Sequence, residues 1–133
     1  MDKIIKQRVS QSKKNLEQIL IQKVGLKHGD LIIEEWDIDI HYDEVREYNI
    51  FVTYKIYSDS VLEDIYYNAK RVFDKIEETV NIFTISADGK LLSLDNNPHK
   101  KGFFVGGMIN QLNYSINEET VTVNTNFYCS YDL

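Results

Sequence analysis

Residues 48–56, Tyr-Asn-Ile-Phe-Val-Thr-Tyr-Lys-Ile, place an apolar side chain at every second position. Because successive side chains of a strand point to opposite faces of a sheet, this period of two predicts a strand with one buried face. The run at residues 32–42 alternates in the same way. The apolar side of that run is formed by Trp36, Ile38, Ile40 and Tyr42. The polar segment at residues 43–47 predicts a connecting loop, so the two strands should form an antiparallel hairpin.

Two other stretches repeat apolar residues at the helical period of 3.6. Residues 3–24 form the first, and Gly25 after them suits a left-handed helix cap. At the start of the second stretch, Ser60 and Glu63 form a capping-box signature, which predicts a helix that begins at Ser60 and continues to Val80. The apolar stripe of this helix is wide enough to cover a sheet. Its members are Leu62, Ile65, Tyr66, Ala69, Val72, Phe73, Ile76 and Val80.

The second half of the chain is predicted to return to strands. Asp88-Gly89 is a favoured tight turn between two short apolar runs, which predicts a small hairpin. Residues 95–102 hold the single proline of the chain among asparagines and lysines, and this composition predicts an exposed loop. Two longer alternating runs follow at residues 104–116 and 121–131, and they should pair with each other.

The first of these runs contains the pair Gly106-Gly107, which suggests a bulge or a close approach of backbone. Its predicted apolar face holds Phe104, Met108, Leu112, Tyr114 and Ile116. Taken together, the pattern predicts a single α+β domain over residues 1–133. We expect a mostly antiparallel sheet of four to six strands packed by two helices, in the order α-β-β-α-(β-β)-β-β.

Composition narrows the class of function. The net charge of −6 argues against nucleic-acid binding through phosphate neutralisation. With Cys129 as the single cysteine, neither an internal disulfide nor a thiolate zinc cluster can form, and a buried structural thiol is expected. No run is long and apolar enough for a membrane span, and the start of the chain is too charged for a secretory signal. We expect a cytoplasmic protein that does not bind membranes.

One constellation could carry chemistry. Glu35, Asp37, Asp39 and His41 occupy alternate strand positions, which places three carboxylates and an imidazole along one face. Such a stripe could hold a magnesium or calcium ion through oxygen ligands. Same-face residues of a strand lie roughly 7 Å apart, however, which is wide for ligands of one ion. We therefore interpret the stripe as polar surface or as an acidic patch that binds a partner, with a metal site as the alternative.

Aromatic residues extend the predicted partner-binding surface. Phe51, Tyr57, Tyr67 and Tyr128 fall on the nominally polar side of their elements, and exposed aromatic residues are enriched at protein interfaces. A second small apolar cluster under the long loop is the alternative interpretation. The partner-binding prediction comprises Glu35, Asp37, Asp39, His41, Phe51, Tyr57 and Tyr128. The basic first helix could pack on its own sheet or on a neighbouring subunit, and we favour its own sheet.

Signatures of catalysis are missing from the sequence. There is no G-x-S-x-G nucleophile elbow, and the glycines at 102, 106 and 107 are followed by a strand pattern, not by the lysine and helix of a phosphate-binding loop. The remaining aromatic residues fall mainly in the predicted core. We predict a non-enzymatic protein without catalytic residues, metal or cofactor.

Two regions of the chain resemble a known family. They are Tyr-Asn-Ile-Phe-Val-Thr-Tyr at 48–54 with Ser-Val-Leu-Glu at 60–63, and the last strand at 121–128 with the ending Tyr-Asp-Leu at 131–133. In these stretches and in its order of elements, the chain resembles the tail terminator proteins of long-tailed bacteriophages. Those are small acidic subunits that form a ring, cap the tail tube and join it to the head connector.

The resemblance implies a structural function in virion assembly. It implies a homo-oligomeric ring of six subunits, with tail-tube and head-connector proteins as partners. The protein would be cytoplasmic during assembly and then part of the virion. The acidic stripe would line the lumen, where like charge repels DNA, or meet the basic first helix of the next subunit.

Two other functions fit the same residues. A small acidic inhibitor or immunity protein could use the segment 34–47 to mask a basic target, because complementary charge accelerates association. A metal-dependent hydrolase built on the acidic stripe would lose its activity with a chelator.

Overall fold

The computed structural model describes residues 3–42, 47–86, 88–93 and 102–131. In chain order the elements are α1 (Lys3–Val24), β1 (Lys27–His28), β2 (Leu31–Tyr42), β3 (Glu47–Tyr57), α2 (Ile65–Val80), β4 (Phe83–Ile85), β5 (Leu91–Ser93), β6 (Gly102–Ser115) and β7 (Thr120–Tyr131). The loops predicted at 43–47 and 95–102 lie outside the described residues, apart from Glu47 and Gly102, which begin β3 and β6.

The strands form two antiparallel sheets. The larger has the order β1-β2-β3-β7-β6, and β4 and β5 form a separate hairpin. The central pairing of β3 with β7 joins the β2–β3 and β6–β7 hairpins into one sheet. The prediction of an α+β fold with two helices on a mostly antiparallel sheet is therefore confirmed.

Both helices contribute to a core on one face of the large sheet, and α1 packs against its own sheet, as we favoured. The inward side chains of β3 are almost inaccessible to solvent because they meet the helices there. Phe73 of α2 stacks on Phe127 of β7, with ring centroids 5.3 Å apart. The main helix residues of this core are Leu16, Leu20, Val24, Ala69, Val72, Phe73, Ile76 and Val80.

Strand β2 contains a bulge that interrupts the predicted alternation. The register with β3 shifts between Glu34 and Asp37, and Glu35 has a positive φ of 57°. Leu31 and Ile33 are buried before the bulge, whereas Ile38 is buried after it. Because of the extra residue, the buried side chains lie at odd-numbered positions before the bulge and at even-numbered positions after it. The sequence-based prediction of an unbroken period of two did not include this change.

Strand β6 also departs from its predicted pattern. Its register with β7 shifts between Phe104 and Gly106 and again between Ile109 and Gln111. The single apolar face predicted for residues 104–116 is therefore wrong, because the second shift reverses the side on which alternate residues lie. The predicted bulge and close approach at the glycine pair are confirmed, since a Cβ added at Gly107 would lie 2.7 Å from Phe127 Cδ1.

Helix α2 begins later than predicted. The structure places Asp64 at the N-cap, where its carboxylate accepts a hydrogen bond from the Tyr67 backbone N–H at 3.0 Å. The capping box at Ser60 and Glu63 is wrong, because the chain there forms a turn in which Ser58 Oγ accepts from the Ser60 N–H. Tyr66, which we placed in the apolar stripe, is 63% exposed.

The small hairpin predicted at Asp88-Gly89 is confirmed, and it packs on α1. Ser12 Oγ donates a hydrogen bond of 2.6 Å to the Gly89 carbonyl, and Arg8 Nη1 lies 3.3 Å from Asp88 Oδ2. The residues Lys27-His28, after the Gly25 cap, form the short strand β1 against β2.

Candidate partner-binding surface

The second face of the large sheet is turned away from α1 and α2. We call this surface the open face, and within the described part of the chain no helix covers it. Strand pairing places its members side by side because same-face residues of neighbouring strands are opposite each other. The open face includes Ile32, Glu34, Asp37, Asp39, His41, Asn49, Phe51, Thr53, Lys55, Tyr57, Met108, Gln111, Asn113, Thr122, Asn124, Asn126 and Tyr128.

Asp39 is the best-connected acid of the predicted stripe. Its carboxylate lies 2.9 Å from His41 Nε2 and 3.8 Å from Lys13 Nζ, and it accepts a hydrogen bond from the Ile40 backbone N–H at 3.0 Å. Partial burial acts to raise the pKa of Asp39, but the hydrogen bond and charge of His41, the charge of Lys13 and the Ile40 N–H together hold the pKa below its ordinary value. This acid is therefore anchored by its own chain.

Aromatic rings continue the surface across the sheet from this acid. Asp39 is directly opposite Phe51 on β3, and the His41 ring packs on the Phe51 ring with centroids 4.7 Å apart. Tyr128 on β7 is opposite Asn49, the next open-face residue of β3. Four of the seven predicted partner-binding residues thus lie together on three adjacent strands.

The other predicted residues are distributed toward the far end of the sheet. Asp37 is exposed opposite Thr53. Glu35 lies in the bulge, with its Oε2 atom 3.7 Å from Lys55 Nζ. Tyr57 ends β3, and a hydrogen bond to the Glu34 carboxylate is the main reason that the pKa of Tyr57 is raised. These three residues border the cluster around Asp39 and do not form a pocket with it.

Two lysines that sequence reasoning missed partly neutralise the stripe. Lys13 comes from α1, far away in sequence, and Lys55 Nζ is shared between Glu35 at 3.7 Å and Glu118 at 3.2 Å. Neither lysine has a local sequence signal, because the Lys13 contact depends on how α1 packs on the sheet. The Lys55 contacts depend on the β2 bulge and on the position of the β6–β7 turn beside β3.

A shallow groove on the open face was also missed. It has a volume of about 260 Å³ and is lined by Gly106, Gly107, Met108, Asn126 and Tyr128. Gly106, opposite Tyr128, has no side chain to fill the open face there, so the glycine pair in the sequence was a signal for the groove. Met108 is 59% exposed, although we placed it on the predicted apolar face of its strand.

Two further properties bear on the predicted chemistry. Within residues 3–42, 47–86, 88–93 and 102–131, no group of three histidine, cysteine or acidic side chains is arranged to hold a metal ion. Burial raises the pKa of the Cys129 thiol to about 12, against a smaller opposing effect of a hydrogen bond with Tyr48.

Tyr67 is exposed on α2, away from the open face, and Arg71 lies over its ring.

Neither helix of the described chain has the length and apolar character that crossing a membrane requires. No protein-family model, no curated protein and no solved structure matches the chain.

Proposed function

We propose that the chain is a non-enzymatic assembly protein that binds other protein subunits through the open face. The observation that carries this proposal is that both helices pack on one side of the sheet. The opposite side is left with a patch of Asp39, His41, Phe51 and Tyr128, in which two rings border a hydrogen-bonded acid. Half-buried aromatic residues beside polar groups have the composition typical of interface centres.

More specifically, we propose a tail terminator of a long-tailed bacteriophage. Subunits would form a ring of six that caps the tail tube and binds the head connector, first in the cytoplasm and then in the virion. In such a ring, the exposed lysines of α1, Lys3, Lys6 and Lys14, would face the acidic stripe of the next subunit. Lys13 already makes a contact of this kind with Asp39 inside one chain, which supports the complementarity of the two surfaces.

The test is the mass of the native particle, alone and with tail-tube and head-connector subunits. We expect a particle of several 15.6 kDa chains, either in solution or on tube ends. The double variant Phe51→Ala/Tyr128→Ala should lose it, whereas Tyr67→Ala on α2 should keep it. A wild-type protein that stays monomeric and binds neither partner would contradict the proposal.

The alternative is a small acidic inhibitor or immunity protein, which the exposed acids of β2 favour. Its discriminating test is the double charge reversal Asp37→Lys/Asp39→Lys. Association with a basic target should slow sharply and depend on salt, because charges at the contact steer the encounter. In a ring, the same change should act on subunit assembly. Asp59→Lys/Glu63→Lys, exposed in the turn before α2, is the control for net charge.

A further inference from the structure

The large sheet has two edges, formed by β2 and β6. An edge strand presents unpaired backbone N–H and C=O groups, which can pair with a strand of another chain. Strand β1 pairs with β2 at Leu31 and Ile32, and from Glu34 onward that side of β2 faces no strand among the described residues. The outer side of β6 is likewise unpaired in the described part of the chain. The two edges differ in how far they are protected.

The β2 edge carries several protecting features. A bulge distorts it between Glu34 and Asp37. The Asp39 carboxylate accepts the N–H of Ile40, and Lys13 reaches the same oxygen from α1 on the other face. Bulges, charged side chains and especially lysines are the features with which proteins prevent edge-to-edge pairing. We conclude that β2 is closed to a further strand.

The β6 edge lacks charge altogether. Residues 102–115 contain no Lys, Arg, Asp, Glu or His. Met108 and Tyr114 on this strand are each 59% exposed. Beside it, a groove of about 300 Å³ separates β6 from α2. That groove is lined by Tyr66, Lys70, Phe73, Gly107, Met108 and Ile109. An uncharged edge with exposed apolar side chains is the kind of edge that another strand covers.

We propose that β6 pairs antiparallel with β6 of a second copy of this chain, about a two-fold axis between Asn110 and Gln111. The register shift between Ile109 and Gln111 places the inward residues at odd positions before it and at even positions after it. Before the shift, Gly107 and Ile109 face the helices and Met108 faces away; after it, Leu112 and Tyr114 face the helices and Asn113 faces away. Pairing about an axis between Asn110 and Gln111 therefore matches like faces.

Specific pairs follow from this axis. Ile109 is opposite Leu112 of the second copy, and Met108 is opposite its Asn113. Tyr114 is opposite Gly107, which presents no side chain of its own on the helix side of the sheet. Because β6 is uncharged, self-pairing brings no like charges together. Two copies of β2 would place acid against acid, which is destabilising.

This contact is independent of the proposed ring. A two-fold contact uses the same patch on both copies and closes on itself, so it produces pairs and cannot by itself build a ring. It also leaves the aromatic and acidic patch at Asp39 and Phe51 exposed. The pairing can therefore be correct whether or not the chain is a tail terminator.

Disulfide trapping tests the register. Met108→Cys and Asn113→Cys are exposed substitutions on the open face, and native Cys129 is buried. A mixture of the two variants under mild oxidation should give a cross-linked dimer of twice 15.6 kDa, because these positions are directly opposite. Asp59→Cys, exposed and remote from β6, is the control and should give none. A cross-link of Asn113→Cys to Asp37→Cys, meaning β6–β2 pairing, would overturn the proposal.

A charge exchange at Gln111 provides a second test that does not depend on oxidation. Gln111 is exposed and lies beside the axis, so two copies of it are neighbours. Gln111→Lys and Gln111→Glu should each weaken the dimer about two- to fivefold, and mixing the two variants should restore it. Pairing of β6 with the acidic β2 would instead strengthen with lysine and weaken with glutamate. A wild-type chain that is monomeric in dilute solution and at the highest concentration measured would also overturn the proposal.

Discussion

The Phe127 ring leaves no room for a side chain at Gly107. A Cβ at that position would lie 2.7 Å from Cδ1 and 2.9 Å from Cε1 of the ring, and 3.0 Å from Glu77 Oε2. The ring is held in place because it stacks on Phe73 of α2, at an interplanar angle of 15°. Because residue 107 is a glycine, β6 can pair with β7 at Phe127, and α2 can pack over both strands.

A matched pair of alanine variants tests this relationship. Gly107→Ala should lower the free energy of unfolding by about 1–3 kcal/mol, because the new methyl group overpacks a buried ring. At the neighbouring Gly106, an added Cβ meets no atom within 4 Å, so Gly106→Ala should change stability by less than about 1 kcal/mol in either direction. Urea unfolding of both variants measures the difference. Equal effects at the two positions would contradict the close approach.

The start of α2 gives a second prediction. Asp64→Ala should cost about 0.5–2 kcal/mol of stability, because it removes the acceptor for the Tyr67 N–H at the N-cap. Ser60→Ala should cost less, since Ser60 lies in the preceding turn. Denaturant unfolding of the two variants decides between the two start positions. A larger loss at Ser60 would restore the capping box that the sequence suggested.

The stability contributed by Asp88 should depend on pH. The Ser86 hydroxyl donates to its carboxylate and is the largest cause of a lowered pKa; burial opposes this, and the Lys90 and Arg8 charges add to it. Because the pKa is lowered in the folded state, this contribution is present above the ordinary value of 3.8 and is lost as pH falls through the folded value.

Asp88→Asn measures that contribution. The free energy of unfolding should differ between wild type and variant by more at about pH 7 than at about pH 3, where the wild-type carboxyl is becoming protonated. Asp59→Asn, in the turn before α2, controls for the loss of one negative charge. A difference that stays constant across this range would show that the ionised form of Asp88 adds nothing to stability.

Cys129 should be unreactive in the folded protein. Burial raises the pKa of its thiol to about 12, and the thiolate is the reactive form, so the native protein at about pH 8 should react with a disulfide reagent more than a hundredfold more slowly than the unfolded protein. The absorbance of the released reagent measures both rates. Similar rates in the two states would mean that the last strand is open to solvent.

Much of the fold could be predicted because its periodic patterns are long. The alternation at residues 48–56 and the helical spacing after Ile65 are each maintained over several residues that face one core. Bulges were harder to locate. At the shift in β2, Glu35 has a positive φ, a conformation usually associated with glycine. The residue type at this position therefore does not indicate a bulge. The shift near Asn110 likewise falls inside an otherwise regular alternation.

The candidate site was predictable to a similar extent. Alternation placed Asp39, His41 and Phe51 on the polar face, and strand pairing then brought them together. The contact of Lys13 with Asp39 could not be predicted, because it depends on the angle at which α1 crosses the sheet. Local pattern determines which face a residue occupies, whereas long-range packing determines its neighbours on that face.

Oxidative footprinting of the assembled particle tests most directly whether the open face binds partners. Oxidation of Phe51, Tyr57 and Tyr128 should fall severalfold when subunits assemble, while that of Tyr67, exposed on α2, should not change. If the three open-face residues were oxidised equally in the assembled particle and the isolated chain, a partner-binding function for this surface would be contradicted.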